Sequence, residues 1–258
     1  MDVVTLTDRV EGYLRTAIIE GELAPFSPLR MSTLTKKFGA GATPVREALS
    51  RLLPEGLVEL SANKGFRVRG VSREDLLDIV AARTAVETEA LRLSIAHGDD
   101  RWESGVVAAH YRFQKQMQVN NYRPTWAQLE AVHDELHRSM FAACGSVRLL
   151  ALADQLMMQH NRYQRLLSLF TYRSQNVPPK SVMGAIGEIM ASPEHAAEEL
   201  VDADDGLRMV HDDLIREVLK RDSDAAIATL RDHLYIIVEE FDANSFWSTQ
   251  KFGTKVAP

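Results

Sequence analysis

The sequence predicts a mainly α-helical chain in two parts: three short helices closed by a β-hairpin, then a larger all-α bundle. Three observations carry this expectation. Apolar residues recur at helical spacing through most of the chain. The clear strand-turn-strand signal lies in one place, residues 57–71. The charge balance turns at the same point: through Val71 there are 10 Lys and Arg against 8 Asp and Glu, and beyond it 20 against 28. A basic first part can meet a polyanion, whereas an acidic body would be repelled by one.

The 258 residues are enough for two domains of ordinary size, and 45% hydrophobic with 26% charged residues suits a soluble globular protein. No segment approaches ~20 unbroken apolar residues, so no membrane partner is expected. The opening "MDVVTLTDRVEGYLR" lacks the basic stretch and apolar core of a signal peptide. Cys144 is the one cysteine, which excludes an intrachain disulfide and makes a cytoplasmic location the expectation.

Taken in order, "LTDRVEGYLRTAIIEG" sets Leu6, Val10, Leu14, Ala17 and Ile18 on one face and ends at Gly21 as a C-cap. "LRMSTLTKKFG" places Leu29, Leu34 and Phe38 at helical spacing and stops at Gly39. "ATPVREALSRLLPEG" is expected to start on Thr43 as N-cap, with Pro44 first in the helix, where a missing N–H costs nothing. Val45, Ala48, Leu49 and Leu52 form its inner face, and Arg46 points elsewhere. In "LVELSANKGFRVRGV", Val58 and Leu60, then Phe66 and Val68, alternate with polar residues around the turn Asn63-Lys64-Gly65. Three helices and a hairpin in this order form a winged helix-turn-helix, whose third helix enters the major groove while the hairpin tip approaches the backbone or minor groove.

The run from "IIEGELAPF" to "GFRVRGVS", and above all "TPVREAL" with the following "EGLV" and "KGF", resembles the N-terminal domain of GntR-family bacterial transcription regulators. That resemblance implies a homodimer on an inverted-repeat operator in double-stranded DNA. It implies that Thr43 and Arg46 on the third helix, and Lys64 and Gly65 on the wing, touch DNA, with Arg30 on a phosphate. Taken singly, an exposed Arg or Lys is usually only solvated. Many family members carry Ser-Arg before the Thr-Pro pair, where this chain has Gly41-Ala42. The missing arginine implies a different operator or a lower affinity.

From Ser72 the pattern is helical. "REDLLDIVAARTAVETEALRLSIAHG" presents Leu76, Leu77, Ile79, Val80, Val86, Ala90 and Leu93, and further helices are expected at about 101–119, 125–143, 146–172, 207–220 and 223–243. No Gly-rich phosphate loop is present. This stretch, with "HDELHRSMFAACGSVRLLAL" and "MVHDDLIREVLKRDSDAAIATLRDHL", resembles the FCD effector domain of the FadR-type branch. The runs "LRMSTLT" and "AACGS" are similar to the carbon-starvation and glutarate-type catabolic repressors. The expected division is 1–71 for DNA binding, 72–245 for effector binding and 246–258 as a tail.

His133 and His137 stand i,i+4 on one helical face, so both rings can reach one ion. Many FCD domains hold a divalent metal with an Asp and a His at that spacing and two later histidines. The resemblance puts His137, His211 and His233 at the three histidine positions and His133 at the Asp position, with Asp134 one step away. Three or four imidazoles favour zinc or a nickel-like ion over magnesium or calcium. His97, His110, His160 and His195 carry no such pattern and are read as ordinary polar residues.

"HDELH" also invites comparison with the H-E-x-x-H protease motif, but the residue after the first histidine is the shorter Asp134. A metal-dependent hydrolase with a DNA-binding head is therefore the weakest reading, behind a regulator sensing the metal itself. The leading reading is a ligand-responsive repressor of a catabolic operon, released by a small organic acid. The resemblance puts Arg83, Arg162 and Tyr163 in the effector pocket, against the simpler reading of structural ion pairs. An added segment at 174–206, with Pro178, Pro179 and Pro193, is longer than FCD domains usually have there.

Overall fold

The computed structural model describes residues 4–61, 64–117, 126–176, 205–244 and 246. The elements are α1 (Leu6–Ile19), α2 (Met31–Phe38), α3 (Ala42–Leu52), β1 (Val58–Ser61), β2 (Gly65–Val68), α4 (Arg73–His97), α5 (Asp100–Met117), α6 (Trp126–Phe141), α7 (Val147–Asn176), α8 (Asp205–Leu219) and α9 (Ser223–Ala243). The expected order is present, with helix ends displaced by up to four residues. Among the described residues, no helix is long and apolar enough to cross a membrane.

The chain packs as two compact units. One comprises the described residues of 1–73 together with α7 from Asn161 onward and Phe246. The other comprises those of 74–160 and 205–244. The division read from the sequence assigned all of α7 to the bundle. By packing, its second half groups with the N-terminal elements.

In the first unit, a reciprocal Thr5–Asp8 capping box starts α1: the Asp8 amide donates to Thr5 Oγ1 at 3.1 Å and the Thr5 amide to Asp8 Oδ2 at 2.8 Å. Val10, Leu14, Ala17 and Ile18 pack on α3, whose Val45, Ala48, Leu49 and Leu52 are fully buried. The expected cap of α3 is wrong by two residues. Gly41 is the N-cap, with no side-chain cap bond, and Thr43 lies inside the first turn. Pro44 is tolerated there because none of the first helical amides needs an intrahelical acceptor.

The antiparallel hairpin pairs Val58 with Val68 and Ser61 with Gly65. Gly65 holds φ at +76°, which glycine adopts without a steric penalty. The α7 half lies within this unit. Tyr163 Oη accepts from the Ser72 amide at 3.2 Å and donates to the Ser72 carbonyl at 3.3 Å. Arg162 donates to the Arg69 carbonyl, and Arg165 Nε to that of Glu20 at 3.3 Å. A Cβ on Gly21, itself at φ +81°, would stand 2.8 Å from Leu169 Cδ1.

In the second unit, α5 packs on α6 and α8, and α8 on α9. Trp102 on α5 donates from its indole N–H to the Ser139 carbonyl at 3.0 Å, near the end of α6. Arg221, between α8 and α9, donates to the carbonyls of Ile95 and Gly98 at 2.9 and 2.8 Å. This frame gathers the inner faces of α4, α6, α8 and α9.

Candidate metal centre and nucleic-acid interface

Four imidazoles meet inside the second unit. His133 and His137 come from successive turns of α6, His211 from α8 and His233 from α9. All are buried, and one ligand nitrogen from each lies within 4.8 Å of the others. Ring centroids stand 4.5 Å apart for His133–His137 and 4.3 Å for His211–His233. Phe113 of α5 packs against the His211 ring at 4.7 Å. Beside it, Asp212 accepts from Gln114 at 2.9 Å and pairs with His110 at 2.7 Å.

The electrostatics favour lone pairs over protons. Burial, reinforced by the neighbouring imidazoles, holds His137 and His233 well below the ordinary imidazole range. Among the described residues, His133 Nε2, His137 Nδ1 and His233 Nδ1 are buried without a hydrogen-bond partner. His137 Nε2 and His233 Nε2 lie 3.2 Å apart, close to the donor spacing of about 3.3 Å in a tetrahedral zinc site. Neutral, converging, incompletely bonded imidazoles are a donor set that fits a divalent ion. Asp134 is not in this set; it lies 3.5 Å from Arg138 Nη2, on the rim of α6.

Arg83 lies in the same unit, buried on α4 and bonded through Nε to Glu87 Oε1 at 2.6 Å. Burial raises the Glu87 carboxyl despite Arg83 beside it. Arg162 and Tyr163 belong to the other unit, where they engage the backbone of residues 69–72. A long polar side chain can serve either a ligand or a carbonyl, and spacing alone does not distinguish the two.

Sequence reasoning missed two buried groups. Glu87 stands i,i+4 from Arg83, a spacing that could have revealed the pair. His160 was read as an ordinary polar residue, yet it is only 4% exposed and neither ring nitrogen has a partner among the described residues. Of the other three so read, His97 is exposed, His110 is held by Asp212, and His195 lies outside the described residues. Most of the 174–206 segment also lies outside them.

On the first unit, Thr43 and Arg46 project from the exposed side of α3. Arg30 is the exposed N-cap of α2, and Lys64 with Gly65 forms the exposed hairpin tip. Arg15, Arg51 and Arg67 are engaged by acids of their own unit, at 2.6 Å to Glu11, 2.7 Å to Glu47 and 2.6 Å to Glu59. Among the described residues, the side chains of Arg30, Arg46 and Lys64 have no such partner. They remain available to an external anion.

The family model described as "Bacterial regulatory proteins, gntR family" matches residues 6–68, and the "FCD domain" model matches 78–235. The chain is 36% identical over 163 residues to the HTH-type transcriptional repressor GlaR of Escherichia coli (strain K12), covering 62% of this chain and 74% of that protein. It is 34% identical to the HTH-type transcriptional regulator BphR of Paraburkholderia xenovorans (strain LB400), covering 68% and 73%. The solved structure of E. coli McbR/YncC shares the fold with a TM-score of 0.62 at 17% identity, covering 96% of this chain and all of that one.

Proposed function

This chain belongs to the gntR family of bacterial regulatory proteins and carries an FCD domain, and on that premise we propose that it represses a catabolic operon until a small organic acid binds at its metal centre. The observation that carries the reading is the buried cluster of four imidazoles in a chain whose N-terminal unit presents exposed, unpaired cations on its third helix and hairpin. The proposed division of labour is 1–71 for DNA and 72–245 for the effector, with 246–258 as a tail. That a 36% identical relative is named a repressor supports the sign of the response.

His133, His137, His211 and His233 are the proposed ligands, and their nitrogen donors favour zinc or nickel. When bound, such an ion supplies an electrophilic centre to which a carboxylate can attach. Arg46 and Thr43 read base edges in the major groove, while Arg30 and the Lys64–Gly65 tip contact the sugar-phosphate backbone. Two copies related by a two-fold axis place two such heads on an inverted repeat. The acid releases DNA only insofar as it binds the DNA-incompetent arrangement more tightly. Arg162 and Tyr163, expected to meet the acid, also bond the backbone of residues 69–72.

Gel retardation on the DNA upstream of its own gene, with candidate acids and with a chelator, tests this. Release by an acid only while the metal is present supports it. Failure to retard any upstream DNA would sink it. The four-nitrogen donor set favours one second reading, a regulator that responds to the ion itself. Release on adding or removing metal alone, with no acid effective, would identify that case.

A further inference from the structure

The third helix carries a single acid, Glu47, exposed on α3 together with Thr43, Arg46, Ser50 and Arg51. At about 100° per residue, Glu47 lies roughly 40° round the helix from Thr43, and Arg51 about 40° beyond Glu47. A free carboxylate at that angle would stand on the face that the proposed reading turns to DNA, where phosphates repel it. It is not free. Arg51 Nη2 donates to Glu47 Oε1 at 2.7 Å, and Nη1 donates to Asp8 Oδ1 at 3.0 Å and Glu11 Oε2 at 3.3 Å on α1. The guanidinium is thus fixed at the α1 edge of α3, and Glu47 is drawn toward it. The bond to Glu47 contributes most to holding the Arg51 guanidinium above its ordinary value.

This ion pair is not what joins the two helices. The Arg51 and Glu47 side chains are 46% and 51% exposed, and pairs so exposed add little to stability. The seam between α1 and α3 rests on the buried apolar faces already described, and on a second bridge from Arg15 Nε to Glu55 Oε2 at 2.8 Å. We propose that Arg51 is a positioning residue for DNA binding: tied to α1, it holds the Glu47 carboxylate off the reading face and offsets its charge. Thr43, Arg46 and Ser50, neutral or basic, are then what α3 presents to the duplex. This rests on the reading of α3 as the helix that meets DNA.

The test is a double-mutant cycle on the full-length protein, read by fluorescence anisotropy as affinity for the duplex upstream of its own gene. Arg51→Ala should weaken binding about fivefold for each head, the scale of one like charge set near the phosphates. Glu47→Ala alone should bind at least as tightly as the native chain. In the Glu47→Ala background, Arg51→Ala should then cost nothing. Arg51→Lys in the native background should keep most of the affinity, and urea midpoints should move little throughout. An Arg51 that is merely structural, or that touches DNA itself, gives the same loss with and without Glu47, and that outcome overturns the proposal. So does native affinity in Arg51→Ala. Weakened binding by Glu47→Ala overturns it too, whether or not any Arg51 variant folds. Arg46→Ala on the same duplex separates the proposal from its premise. If that variant binds as tightly as the native chain, or if the native chain binds no upstream duplex, the DNA reading of α3 fails, and the role of Arg51 falls with it.

Discussion

The two regions solve opposite problems with the same helices. In residues 4–71 the interior is apolar: Thr7 is the only buried polar residue described there, and the cations of interest stand outside. In the bundle, Arg83, Glu87, His133, His137, His160, His211 and His233 are all buried. The first arrangement buries an apolar interior and leaves its chemistry on the surface for DNA. The second buries an Arg83–Glu87 pair that bonds itself, and imidazoles with nitrogens that have no partner among the described residues. A reading head should therefore tolerate changes at its contacts without unfolding, whereas the bundle should respond to every change in its ligands.

The largest expected effect breaks the bundle side. Arg83→Leu strands a buried Glu87 and should cost about 4 kcal/mol, while replacing both partners with leucine should recover most of it. Urea unfolding decides this: a single variant as stable as the double would mean the pair is not buried as described. Stripping the metal comes next. With the ion at a hundredfold excess over its Kd, its removal should lower bundle stability by about 3 kcal/mol. His211→Ala and His233→Ala should each lower bound metal by elemental analysis, and unchanged content would defeat the ligand assignment.

Arg46→Ala should weaken operator binding by about 2 kcal/mol, enough to lose specific retardation, with the dimer intact by size exclusion. Undiminished operator affinity would count against the third helix as reader.

The pH response of the metal-free protein is smaller. Burial depresses His137, His160 and His233 in the folded state, so below the unfolded pKa of about 6.5 the unfolded chain binds more protons. Stability is intact above that pH and falls beneath it, by roughly 2 kcal/mol between pH 7 and 6 for three such groups. Glu87, shifted upward, takes the opposite sign. A flat denaturation midpoint across that interval would show that these rings are not buried neutral. Smallest of all, Lys64→Ala should weaken binding to every DNA alike and reduce the salt slope by about one.

The head was almost fully legible because its interior follows one rule. Val45, Ala48, Leu49 and Leu52 repeat at helical spacing, and all are fully buried. The α3 cap was misread because Thr-Pro also suits the interior of a first turn. In the bundle, the i,i+4 pair on α6 and the two later histidines could be gathered by spacing and resemblance. Glu87 and His160 could not, because burial of a polar residue depends on what other helices bring against it. Arg162 and Tyr163 were noticed for their chemistry, and their bonds to the backbone of residues 69–72 were hidden for the same reason.

Arg162, Tyr163 and Arg165 lie within one turn of α7, and each holds a different point of the first unit: the Arg69 carbonyl, both backbone groups of Ser72, and the Glu20 carbonyl. The turn acts as a rivet through two stretches of chain that lie about fifty residues apart in the sequence. A helix-breaking insertion between 162 and 165 should loosen all three points at once, where a single substitution frees only one.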